Sequence, residues 1–452
     1  MRRRILMSVA AMGYGKLVGA LIQLALVPVL ALQWGLPLYG QWLMLSAIPV
    51  FLAASDFGFS TAAGNRIIAE VAKADRDEAL VTFQSAWSMI IGISAVTLVI
   101  AAAVVAYLPS SILAVDGGMN ADDARTALAI LCLYGIISLQ IFLFAAVARS
   151  EGRQAQSISL IATIQLVEGL SVLAIVWFGG SPLDAAIAYL AVRSAGLLAH
   201  VILSKRFARW MRLGSKKASG DRVRMLFRPA FAAMLLPLGQ AGFLQGTAIA
   251  IGAAGGAAMV PLYTSLRTVS RVGLQIMSTF VIPLMPDFTA AFAQENHGRV
   301  ARIGGLVAAL NVICGVIFGF IIAVFGADVL RVWTGGAIQP PQLMITLTGI
   351  AAALAVVWNP LGNLLLAINR HEAYSYVFVI GAALSIGMTY VLVGSMGVSG
   401  AAAAGVALEA LMLVTIIIST RINIGALAFG RDTFLAILPS HMRLPSDKGA
   451  DQ

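Results

Sequence analysis

Five residues near the middle of the chain could act together. Thr264, Arg267, Arg271, Gln275 and Ser278 follow one another at helical spacing, so a helix would carry them as one polar stripe. Their surroundings are almost wholly apolar. Two guanidiniums one or two turns apart repel each other, and arginine cannot escape by losing a proton. The stripe therefore needs one of two things: a wet cavity holding an anion, whose phosphate oxygens suit the guanidinium fork, or structural carboxylates on neighbouring helices. Lys16, Gly19 and Gln23 form a shorter stripe in the first apolar run. Lys16 either faces a cavity or snorkels to the headgroups along a tilted helix. Gln240, Gln245 and Thr247 in a later run either extend the polar lining or join helices.

Acidic residues are scarce at depth, where a charge costs about 2.5–3.5 kcal/mol on insertion scales. Glu168 and Arg193 lie mid-run in successive, antiparallel segments, so they are expected to meet as a structural pair. Glu409 has no obvious partner in the sequence. It either carries a coupling proton or is simply buried inside the bundle. Asp56-Phe57-Gly58 ends the second run, where it forms either a gate or hinge or a local turn held by the Asp56 side chain. His200, His297, His371 and His441 are scattered, with no metal spacing. No Gly-Lys-Ser/Thr phosphate loop occurs. The reading is a non-enzyme without metal, ATP chemistry or other cofactor.

The elements that carry these residues follow from composition. Of 452 residues, 60% are hydrophobic and 11% charged, and the mean hydropathy is +0.91. A soluble domain is about a quarter charged. The composition excludes a soluble enzyme, a disordered chain and a disulfide scaffold; Cys132 and Cys314 sit inside apolar runs as core residues. Runs long enough to cross a bilayer occur at 5–33, 39–63, 83–106, 126–148, 158–178, 185–204, 229–252, 259–288, 303–326, 343–366, 375–396 and 398–420. This predicts an all-α polytopic membrane protein of about twelve helices. With the N-terminus inside, 24 cations fall in cytoplasmic segments and only Arg125 and Arg331 outside. That bias puts both termini in the cytoplasm. It also accounts for the net charge of +10 without a nucleic-acid partner.

The basic stretch 205–228 divides the runs six and six. Pro37-Leu38-Tyr39 recurs as Pro261-Leu262-Tyr263, Ala148-Arg149-Ser150-Glu151 corresponds to Asn369-Arg370-His371-Glu372, and Asp184-Ala185-Ala186 corresponds to Gly400-Ala401-Ala402. The order and near-constant offset predict a parallel pseudo-repeat. The expected organisation is a six-helix lobe at 1–204, a cytoplasmic linker at 205–228, a second lobe at 229–420 and a cytoplasmic tail at 421–452, the two lobes flanking a central cleft.

Three features resemble polysaccharide flippases of the O-antigen (Wzx-like) type, within the multidrug/oligosaccharidyl-lipid/polysaccharide exporter superfamily. They are the turn Gly35-Leu36-Pro37-Leu38-Tyr39-Gly40, Asp56-x-Gly58 with Arg66, and the six-plus-six plan with its second Pro-Leu-Tyr. The resemblance covers about residues 5–420. It implies a bacterial inner-membrane protein that flips undecaprenyl-diphosphate-linked oligosaccharide by alternating access, working beside other polysaccharide-assembly proteins. It also implies a cleft lined by helices one, two, seven and eight, which would place Lys16, Gln23, Thr264, Arg267, Arg271 and Gln275 against the anionic headgroup. Lipid II flippases of the superfamily usually carry two further helices, whereas residues 421–452 are too charged and proline-rich for another span. Drug/cation exporters commonly need acids in the cleft, where this chain has cations. A membrane glycan polymerase or glycosyltransferase would need acidic or histidine chemistry in a large outer loop, which is not found.

Overall fold

The computed structural model describes residues 2–54, 59–368, 370 and 372–424. Among them there are helices and no strands: α1 Arg2–Gln33, α2 Gly35–Ala54, α3 Phe59–Ala72, α4 Arg76–Tyr107, α5 Ser110–Leu113, α6 Ala121–Ser150, α7 Gln154–Trp177, α8 Pro182–Phe207, α9 Gly220–Gly255, α10 Met259–Val281, α11 Met285–Ala293, α12 His297–Thr334, α13 Gln342–Ala367, α14 Glu372–Met396 and α15 Val398–Ile424. Each of the twelve apolar runs holds a long helix. Nine helices among the described residues are long and apolar enough to cross a membrane, or ten if the bent α10–α11 pair is one span. Val99, Phe320 and Val391 are more than 60% exposed, as expected of side chains facing lipid rather than water.

Local signals start and stop these helices. Asp75 accepts from the Glu78 amide at the head of α4, and Asn120 from Asp123 at the head of α6. Ser181 and Asp184 form a reciprocal capping box on α8, with Pro182 in its first turn. Gly35 takes a φ of +69°, a left-handed conformation costly for any other residue. It turns the chain from α1 into α2, so Pro37 falls within the first turn of α2, where its missing N–H is harmless. Over the second run the described helices are α2, to Ala54, and α3, from Phe59; Asp56 and Gly58, the expected gate or turn, lie outside the described residues. The basic connection is also shorter than 205–228. α8 continues to Phe207 and α9 begins at Gly220, so Arg222, Arg224 and Arg228 ride on the first turns of α9.

The chain forms two compact units, Met1–Leu262 with Leu330–Gln339, and Tyr263–Val329 with Pro340–Gln452. The first unit therefore includes the basic loop and α9. Small residues let α2 and α9 approach closely: a side chain on Gly40 would strike the Ala257 carbonyl, and one on Gly252 would strike the Met44 sulfur. Two apolar clusters hold this unit. On α6, Ala124 to Cys132 join one cluster and Leu139 to Val147 the other; on α8, Ala185 and Ala186 join the first and Leu197 and Val201 pack on the second. Tyr134 and Arg193 fall in the gap between them. In the second unit α12 crosses α13 with Gly319 against Gly349: a Cβ on Gly319 would come within 2.7 Å of the Gly349 carbonyl oxygen.

The cation bias predicts that the turns at Gly180 and Gly397 lie on the outer membrane face and the loop at Ser215 on the inner one. Reporter fusions are expected to read as external at Gly180 and Gly397 and as cytoplasmic at Ser215. An external signal from Ser215 would reverse the orientation.

Candidate functional site

In the second unit, the stripe predicted from spacing lies along α10. Tyr263 is buried and Arg267 half-buried, with its guanidinium 5.2 Å from the centre of the Tyr263 ring. Thr264 is half-buried. Arg271 and Gln275 are exposed. The Thr268 hydroxyl donates back to the Thr264 carbonyl at 2.9 Å, and that of Ser278 to the Gln275 carbonyl at 2.8 Å. These bonds spend the small hydroxyls on the helix backbone and leave the guanidiniums as the chemistry of the stripe.

Glu409 is not partnerless, as its sequence context suggested. The Trp358 indole on α13 donates to its carboxylate at 2.5 Å. Arg271 and Tyr263 lie within electrostatic reach of the same carboxylate. The sequence reading missed this because Trp358 is far away in the chain and is itself an apolar residue by composition. The second unit thus gathers Tyr263, Arg267, Arg271, Trp358 and Glu409 from α10, α13 and α15.

In the first unit, Arg193 and Glu168 meet. The Arg193 Nε and Nη2 donate to the two carboxylate oxygens at 2.7 Å each, and Nη2 also donates to the Tyr134 hydroxyl at 2.5 Å. The pair borders a chamber of about 500 Å³ that Gln23, Tyr39, Trp42 and Tyr189 also line. Trp34, Trp42, Tyr189 and Tyr134 form a continuous ladder of rings with centroids 5.5–5.8 Å apart. Lys16 is exposed on α1 and forms no salt bridge among the described residues; Gln23 is exposed seven residues further along. The aromatic members were absent from the sequence reading. The one available signal was Tyr134 in mid-span, whereas Trp34 sits at the α1–α2 turn, where such rings usually gather.

The two units place opposite charges at matching positions of the repeat. Arg193 and Glu409 are separated by the same 216 residues as Asp184 and Gly400. Arg193 donates to the Tyr134 hydroxyl, and Glu409 accepts from the Trp358 indole. The cation also has a carboxylate bound to it through two hydrogen bonds.

A mostly buried pair of this kind is far harder to break than to remove. Arg193→Met should leave Glu168 charged and unpaired and destabilise the protein by about 3–5 kcal/mol. The double variant Arg193→Met, Glu168→Gln should recover much of that loss. Thermal unfolding of purified variants checks this, and equal melting temperatures for single and double variants would contradict it.

No protein-family model matches the chain, and no curated protein is similar to it at the level of sequence. Solved structures are similar in fold. An inward-facing multidrug resistance MATE family transporter of the MOP superfamily aligns over 93% of this chain and 98% of its own, at 13% identity and a TM-score of 0.71. An outward-facing structure described in the same terms aligns over 94% and 96%, at 14% identity and a TM-score of 0.55. A MOP superfamily transporter from Pyrococcus furiosus aligns over 94% and 96%, at 14% identity and a TM-score of 0.60; it is described as having a binding pocket whose reverse polarity suggests a different function. The chain therefore has the fold of MATE transporters of the MOP superfamily.

Proposed function

We propose that this chain is an alternating-access transporter that flips a polyprenyl-diphosphate-linked oligosaccharide across the bacterial cytoplasmic membrane, with both termini in the cytoplasm and other polysaccharide-assembly proteins as its partners. The observation that carries this reading is the α10 stripe: an exposed Arg271 one turn from a half-buried Arg267, the two charged residues of this helix. Fixed guanidiniums in a membrane helix call for an anion and for water. The apolar tail of such a substrate can remain in lipid while its diphosphate and sugars cross. A few cations in a wet cavity replace headgroup hydration with charge-assisted hydrogen bonds and still permit release. Gln275, exposed on the same helix, offers hydrogen bonds to sugar hydroxyls.

Multidrug export is the second reading, favoured by the descriptions of the fold relatives. The sign of the exposed charge separates the two, since cations repel an organic cation. That a relative of this fold is described with reversed pocket polarity supports anionic cargo as compatible with the architecture.

Arg267→Gln and Arg271→Gln should each weaken binding of the lipid-linked oligosaccharide roughly ten- to hundredfold, the worth of one charge-assisted hydrogen bond, while the proteins stay folded. Lysine at either position should restore only part of the affinity, because the bidentate fork is lost. Wild-type affinity in the doubly neutralised protein would refute the anion role and leave both arginines as structural residues.

Glu409 shares Arg271 with the substrate in this scheme. Binding of the diphosphate would then loosen the carboxylate from its counter-charge and favour its protonation. Glu409→Gln should abolish the response of transport to a pH gradient in proteoliposomes while sparing substrate binding. An unchanged response would remove Glu409 from coupling.

A further inference from the structure

The loop 208–219 carries a dense run of cations, yet it is not a loose connector. Gln84 on α4 holds it twice, donating to the Arg212 carbonyl at 3.0 Å and accepting from the Lys217 amide at 2.7 Å. The Ser85 hydroxyl accepts from the Ser219 amide at 3.0 Å, and the Trp210 indole donates to Glu151 at the end of α6 at 2.7 Å. These bonds lay the loop across the first turns of α4. Between loop and helix they leave a hollow of about 560 Å³, bordered by Arg76, Trp210, Arg212, Leu213, Lys216 and Lys217.

The charges around this hollow do not balance. Arg76 pairs with Glu151 at 3.1 Å and Lys217 with Asp77 at 2.8 Å. Arg212 and Lys216 are exposed and form no salt bridge among the described residues. Asp77 also lines the hollow and lies within electrostatic reach of Arg212 as well as Lys217; against Asp77 and Glu151, Arg76, Arg212, Lys216 and Lys217 leave two positive charges in surplus on a backbone that is already fixed, so a ligand need only order their side chains. The wall beside them is apolar: Leu213 is 41% exposed, and the Trp210 ring is held on edge by its bond to Glu151. An indole and a leucine next to unpaired cations match the boundary between lipid headgroups and acyl chains, where tryptophan gathers and basic residues meet anionic lipid. The hollow also lies on the face that carries most of the chain's cations.

We propose that this hollow is a binding site for the phosphate headgroup of an anionic phospholipid of the cytoplasmic leaflet. Arg212 and Lys216 hold the phosphate, and Trp210 and Leu213 lie against the glycerol and first acyl carbons. The site is separate from the proposed transport stripe and does not depend on it. A lipid seated there bridges α4, the end of α6 and the chain entering α9. It sits beside the base of α9, where Arg222 bonds to Glu70 at 2.8 Å and to Glu78, and so adds to what anchors that helix.

The test uses the full chain in phosphatidylcholine nanodiscs containing graded amounts of phosphatidylglycerol brominated on the upper acyl carbons. Quenching of Trp210 is read as the difference between the wild type and Trp210→Phe. Native mass spectrometry of retained phosphatidylglycerol gives a second readout that needs no tryptophan. Saturable quenching and retained lipid are expected with phosphatidylglycerol and not with brominated phosphatidylcholine. Arg212→Gln with Lys216→Gln should raise the half-saturating lipid fraction roughly 25-fold, about fivefold per cation, without changing the melting temperature in detergent. Equal quenching by both lipids, or a double variant that retains phosphatidylglycerol like the wild type, would overturn the site. Displacement of the lipid by inorganic phosphate alone would overturn the lipid assignment, because phosphate makes no use of the apolar wall.

Discussion

A charge inside a hydrocarbon layer must find a counter-charge, a hydrogen-bond partner or water, and this requirement organises the molecule. Backbone groups meet it through helices, which is why the described residues contain no strand. Side chains meet it in different ways. Arg193 is closed off by a carboxylate bound through both oxygens and by a tyrosine hydroxyl. Glu409 receives an indole N–H. Arg271 and Lys16 remain exposed. The first arrangement fixes structure, and the second holds a carboxylate in place. The third leaves charge available to something outside the chain, and that availability is the physical ground for reading α10 as a surface that meets an anion.

The pseudo-repeat sharpens this contrast. Positions 216 residues apart hold Arg193 in one unit and Glu409 in the other, each bonded to an aromatic side chain. A repeat of this kind would keep helix order, which depends on apolar length. It does not preserve the sign of a buried charge, because each unit can satisfy that charge locally. The first unit uses a carboxylate from the next helix. The second has Arg271 within electrostatic reach of its carboxylate, on the helix that also bears Arg267. An internal ion pair in one unit and a shared, exposed cation in the other are two outcomes of the same constraint.

Solvent and lipid interfaces impose a different economy at the basic loop. Here charges are solvated, and side-chain hydrogen bonds of Gln84, Ser85 and Trp210 decide the shape. Sequence reasoning treats such a stretch as a topology marker, which is sound as far as net charge goes. Only its folding against α4 separates paired cations from surplus ones.

Much of the architecture was legible from the chain alone. Spanning length and hydropathy place a helix at each of the twelve runs, because the hydrocarbon thickness sets a minimum apolar length whatever the neighbours are. Helical periodicity collects Thr264, Arg267, Arg271 and Gln275 on one stripe for an equally local reason, and antiparallel succession brings Glu168 to Arg193. What depends on contacts between distant segments was not legible. The indole partner of Glu409, the aromatic ladder from Trp34 to Tyr134 and the association of α9 with the first unit all follow from packing. Residues far apart in sequence meet there because small side chains such as Gly40 and Gly252 let helices approach. Periodicity tells which face of a helix is polar; only the tertiary structure decides which neighbour that face meets, because that choice belongs to the complementary surface and not to the helix itself.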